Sequence, residues 1–79
     1  MSRVMNGMRV KLNGKDRDVE PGITILQLLH QLGLHPQRVA VEVNREIVKR
    51  DQYEVHRLGE GDEIEVLQFV GGGEPRFGV

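Results

Sequence analysis

Residues 59–73 read GEGDEIEVLQFVGGG, placing a turn, an apolar strand and a glycine run in immediate succession. Gly61-Asp62 makes the turn, with Asp62 capping its own backbone. Residues 63–69 follow as the strongest strand of the chain, with Ile64, Val66 and Val70 on one parity, as a core face requires. The other parity runs Glu63, Glu65, Leu67, Phe69, so the outer face changes from acidic to apolar along its length. Two readings of that change stand side by side. A bulge or twist could re-bury Leu67 and Phe69, or the two could form an exposed patch on which a partner docks, with Glu63 and Glu65 adding charge. The glycines at 71–73 cannot assist packing and give the backbone its greatest freedom. Extended, they reach about 10 Å beyond the domain. Glycine runs are most often linkers. A terminus that must thread a narrow enzyme channel, however, also needs residues without Cβ.

Upstream, Met8, Val10 and Leu12 alternate with Arg9 and Lys11, the period of a half-buried strand. Asn13-Gly14 tolerates positive φ at both positions and predicts a tight hairpin, with a return strand over Lys15–Val19 that Pro21-Gly22 ends. Thr24 and Gln27 make a capping box. Ile25, Leu28, Leu29 and Leu32 then share one helical face, predicting a short helix over residues 25–32 closed by Gly33 and Pro36. A helix that short needs packing against a sheet to persist. Val39, Val41 and Val43 form a third strand, Asn44-Arg45 turns the chain, and Ile47-Val48 make a short fourth. Tyr53, Val55 and Leu58 are the expected apolar anchors of the polar connection over residues 49–60. Residues 1–7 carry no pattern and read as a disordered leader, with Met8 as an alternative start.

The 79 residues, 9.0 kDa, suit one small domain over residues 8–70 followed by a flexible tail at 71–79. A chain this short buries only about 60% of its unfolded surface, which leaves little room for a large catalytic cleft. The absence of cysteine excludes disulfides, thiolate catalysis and Cys-based zinc sites. No apolar run approaches the roughly 18 residues of a membrane span. Together these predict a cytoplasmic chain with no membrane association. Residues 1–40 hold six Lys/Arg against three Asp/Glu, a balance of +3, and residues 41–79 hold five against nine, a balance of −4. That asymmetry reads as a solvated face or as an acidic surface for a basic partner. The basic residues are scattered among acids and aromatics are few, so nucleic acid is not an expected partner.

Three stretches resemble one known family: MRVKLNGK at residues 8–15, VEVNREIV at 41–48 with Arg50 after it, and GEGDEIEVLQFVGGG at 59–73. They are similar to the ThiS-like sulfur-carrier proteins of thiamine (thiazole) biosynthesis, within the ThiS/MoaD ubiquitin-like group. The resemblance implies an α+β fold, the β-grasp, with a mixed four- to five-stranded sheet, one helix on one face and the last strand inserted centrally. It implies a carrier rather than an enzyme. An E1-like adenylyltransferase of the ThiF type, using ATP and Mg²⁺, would activate the C-terminal glycine carboxylate. A persulfide donor would convert it to a thiocarboxylate, and a thiazole synthase of the ThiG type would take the sulfur. No cofactor, metal or catalytic residue is expected on this chain itself.

Members of that family normally stop at Gly-Gly, whereas residues 74–79 follow here. An internal glycine has an amide where the chemistry needs a carboxylate. The expectation is that a protease removes residues 74–79, exposing Gly73, or alternatively Gly72, as the sulfur-carrying residue, with Gly71 and Gly72 serving for threading. A permanent tail, an appended sequence or a diverged paralogue are the alternatives. So are a tail-processed carrier for molybdopterin or a sulfur amino acid and a non-carrying ubiquitin-like binding module. His30, His35 and His56 lack metal-ligand spacing and read as solvated surface, Asn44 as a turn former, and Arg50 as exposed or structural.

Overall fold

A computed structural model of the chain describes residues 7–70 and 74–77, with side chains over residues 7–69. The expected leader, apart from Gly7, and the glycines at 71–73 lie outside the described residues. Strands β1 (Met8–Leu12) and β2 (Lys15–Val19) form an antiparallel hairpin, its turn made by Asn13 and Gly14 at φ 49° and 84°. Helix α1 (Ile25–Gln31) follows, then β3 (Val39–Val43), β4 (Glu46–Val48), β5 (Glu63–Val70) and β6 (Glu74–Phe77). The order across the sheet is β2-β1-β5-β3-β4, with β6 added to β5. β5, the last strand of the domain proper, therefore sits at the centre, parallel to β1 and antiparallel to β3.

Even-numbered residues of β1 and β5 and odd-numbered residues of β3 project to the same side, where α1 covers them. Val10, Val39, Val41, Ile64 and Val66 are buried there against Ile25, Leu28 and Leu29 of the helix. The capping box is formed in both directions: Gln27 N donates to Thr24 Oγ1 at 3.1 Å, and Thr24 N donates to Gln27 Oε1 at 2.9 Å. The helix ends one residue earlier than the periodicity predicts, with Leu32 as its C-cap and Gly33 at φ 73°. Pro36 opens a 3₁₀ turn, Pro36–Arg38, capped by His35 Nδ1 accepting from Gln37 N.

Three expectations change. Tyr53 and Leu58 are buried as anchors, but Val55 is 63% exposed: it falls in a turn that follows a 3₁₀ segment, where alternation no longer assigns a face. His30 and His35 are exposed, while His56 is half-buried because its backbone is held by Ile25 N and Gln52 O. The tail expected to be flexible contains β6, which pairs antiparallel with residues 67–70 of β5.

Candidate functional site

The site is built around the far half of β5. β1 pairs with β5 only at Lys11–Glu63 and Leu12–Ile64, after which β1 turns back at Asn13 and β6 takes up that side of β5 from residue 67. Asn13 extends the pairing without being strand. Its backbone N–H donates to Ile64 O at 2.8 Å, its Oδ1 accepts from Val66 N at 2.8 Å, and its Nδ2 donates to Val66 O at 3.4 Å. On the other side β3 pairs with residues 64–68 one to one, so no bulge interrupts β5. A bulge is thereby absent over residues 64–68, yet Leu67 and Phe69 lie half-buried on the face away from the helix, between the buried and the exposed readings.

That outer face carries all four residues expected to dock a partner: Glu63 exposed, and Glu65, Leu67 and Phe69 half-buried. The register adds residues the sequence reading did not include. Ala40 is opposite Leu67, Glu42 is opposite Glu65, and Ile47 of β4 is opposite Glu42 and 75% exposed. Like charges directly across a strand pair disfavour folding slightly, so Glu42 and Glu65 together give this face a negative potential that packing does not require. The alternation of β3 carried a signal for Glu42, but only the register of β3 on β5 brings the two carboxylates together. Farther along the face, Arg9 Nε pairs with Asp18 at 2.9 Å, and the carboxylate holds the guanidinium above its usual range.

The remaining polar residues hold the frame. Asp62 Oδ2 accepts from Gly59 N at 2.8 Å, as its turn assignment predicts. Asp62 Oδ1 accepts from Asn44 Nδ2 at 3.1 Å, while Asn44 Oδ1 accepts from Glu63 N at 3.0 Å. Asn44 thus turns the chain at φ 52° and also holds the start of β5. Arg50 donates to the carbonyls of Pro36 at 2.9 Å and Val39 at 3.2 Å, a structural role met by backbone oxygens rather than a carboxylate. Burial raises the Tyr53 hydroxyl above its usual range, opposed by Arg50 and a hydrogen bond to the Val41 backbone. A cavity of about 230 Å³ lies on the opposite side of the sheet, between Leu12, Asn13, Lys15, Asp16 and Arg17 of the hairpin and Leu32.

The outer face and central β5 give a ubiquitin-like domain whose last strand leads straight into residues 71–73. The sequence model of the ThiS family matches residues 10–73, and so includes those glycines. The chain belongs to the ThiS family. This ThiS-family chain is 40% identical over 65 residues to the sulfur carrier protein ThiS of Bacillus subtilis, covering 81% of this chain and 98% of that one. It is 32% identical over 66 residues to ThiS of Escherichia coli, covering 84% and 100%. The crystal structure of a thiamine biosynthesis protein, ThiS, from Geobacter metallireducens superposes with a TM-score of 0.73 at 32% identity, covering 84% of this chain and all of the other. A relative of a different kind is the thiazole synthase of Magnetococcus marinus, 45% identical over 67 residues. The ThiS-family chain spans 85% of itself but only 21% of that synthase's length. No helix among the described residues is long and apolar enough to cross a membrane.

Proposed function

We propose that this chain carries sulfur as a thiocarboxylate on Gly73, exposed when residues 74–79 are removed. The observation that carries the proposal is the extent of the family match, which runs to residue 73 and no further. A carboxylate is a poor electrophile until joined to a good leaving group. An E1-like enzyme of the ThiF type transfers AMP from ATP, with Mg²⁺, to the Gly73 carboxylate and releases pyrophosphate. A persulfide sulfur then attacks the carbonyl and AMP leaves, giving an acyl disulfide. A thiol reductant outside this chain attacks the donor's cysteine sulfur, breaking the S–S bond to release the thiocarboxylate and leaving the donor in a disulfide with that thiol. The carrier contributes recognition through its outer face and an unbranched end, while bond-making belongs to its partners.

A thiazole synthase of the ThiG type is the proposed acceptor. This is supported by the Magnetococcus marinus protein and by a thiazole synthase of Paramagnetospirillum magneticum that is 38% identical over 66 residues. The residues beyond Gly73 favour a second reading, a tail-processed carrier serving molybdopterin or sulfur amino acid synthesis. The identity of neighbouring synthase genes separates the two.

The test is intact-mass spectrometry of the protein recovered from its native host. A mass ending at Gly73, with a fraction in which sulfur replaces one oxygen, is the expected result. A mass that retains Val79 under all growth conditions refutes the carrier reading. A Gly73→Ala chain is expected to yield no thiocarboxylate, and an undiminished yield would move the acceptor to Gly72.

A further inference from the structure

We propose that the edge of β5 over residues 67–70 is a strand-acceptor site. The chain's own residues 74–77 hold it, and an extended segment of the enzyme that works on the glycine end takes it over once they are gone. The three edges of the sheet are guarded differently. β2 presents Lys15, Asp16, Arg17 and Asp18, charges that discourage pairing with another chain. β4 is only three residues long. The far half of β5, Leu67-Gln68-Phe69-Val70, has no charge at all, and β1 stops short of it. A bare uncharged edge in the middle of a sheet invites an added strand.

The backbone parity shows how that edge is used. Val66 directs both its N–H and its C=O toward Asn13, on the β1 side. Alternate residues point the same way, so Gln68 and Val70 offer their N–H and C=O groups to whatever lies beyond Asn13. β6 is opposite them, with Arg76 across from Gln68 and Glu74 across from Val70. Pro75, which has no N–H, falls opposite Phe69, where the ladder needs none. The proline is thus at the position of the segment where it costs no ladder bond. Leu67 and Phe69 border this edge on the outer face, so a partner strand added here continues the docking surface and lies beside the start of the glycine run. A segment with apolar residues at alternate positions and basic flanks fits that face and its Glu42–Glu65 pair.

Takeover by a partner rests on the tail removal proposed above; the existence of the acceptor edge does not. Amide exchange followed by NMR tests the edge directly. In the intact chain, Gln68 and Val70 are expected to exchange at least about tenfold more slowly than in a chain ending at Gly73, with Val66 unchanged because Asn13 still holds it. The shortened chain retains the core, whose residues run from Met8 to Val66 among those described. Full-length Arg76→Pro, which removes the N–H opposite Gln68, is expected to exchange like the shortened chain. Adding the synthetic peptide of residues 74–79 at millimolar concentration to the shortened chain should slow Gln68 and Val70 again. Equal exchange of those amides in the intact and shortened chains overturns the proposal, as does a peptide that leaves them unaffected. A host protein that retains its tail would refute the sulfur-carrier reading while leaving the exchange result in place.

Discussion

At Asn13 one side chain stands in for a length of strand. The residue turns the β1–β2 hairpin with φ 49°, and its carboxamide meets both backbone groups of Val66. Replacing it with Ala leaves the Val66 N–H, in a half-buried setting, without its acceptor and places a Cβ-bearing residue with no local hydrogen bond in the left-handed region. Asn13→Ala is expected to lower unfolding free energy by about 1–3 kcal/mol. In urea titration the midpoint should fall with the slope unchanged. Asn13→Gly separates the two contributions by keeping the turn and losing the carboxamide; wild-type stability in both variants would refute the bridging role. The sequence shows Asn13-Gly14 as a turn because that property is local. Its contact with Val66 lies 53 positions away and leaves no mark in the pattern around either residue. Arg50 reads as exposed or structural, and its partners are the distant carbonyls of Pro36 and Val39, which no local pattern names.

The elements themselves were legible wherever period and punctuation agreed. β1 and β3 follow strict alternation, β2 is placed by the Asn13-Gly14 turn before it and Pro21-Gly22 after it, and α1 begins at the residue its capping box names. That box matters more here than in a long helix, since α1 has only seven residues over which to recover the cost of its first turn. Thr24→Ala is expected to cost about 1 kcal/mol, seen as a melting midpoint lower by about 4–8 °C. An unchanged midpoint would show that packing of Leu28 and Leu29 alone fixes the helix start. Strand order was not legible from the residues, because alternation reports which face is buried and not which strand lies alongside. The resemblance supplied the central position of β5. β6 escaped because the glycines at 71–73 make residues 71–79 read as a flexible tail, and the register shows how Pro75 is accommodated, at a position that needs no donor. Val55 was misplaced because a loop has no period from which to assign a side.

Across the molecule the two faces of the sheet are divided by task. One is closed by α1, and the other presents Glu42, Glu65, Leu67, Phe69 and Ile47. The Glu42–Glu65 opposition allows these tasks to be told apart by experiment. Glu65→Lys places opposite charges across β3 and β5 and is expected to leave stability unchanged or raise it by about 0.2–1 kcal/mol. The same change should weaken association with the adenylating enzyme proposed as partner severalfold, read by calorimetric titration against a ThiF-type protein. Undiminished affinity would remove this face from recognition.

The central place of β5 also governs when the protein can exist at all. A strand that is late in sequence and middle in space leaves β1 and β3 each with one unpaired edge until most of the chain has been made. Its pairings with β1 span about fifty positions, the kind of long-range closure that makes folding slow. During synthesis the ribosome therefore releases an incomplete sheet with two uncovered edges, and the gap closes only when residues 63–66 emerge. Any nascent chain broken off before that point is left as a pair of hairpins and a helix with nothing to pack on. Closure of the sheet and emergence of residues 71–73 are in this way successive moments of one late stage of synthesis, so a chain broken off before residue 63 lacks both the central strand and the glycine run.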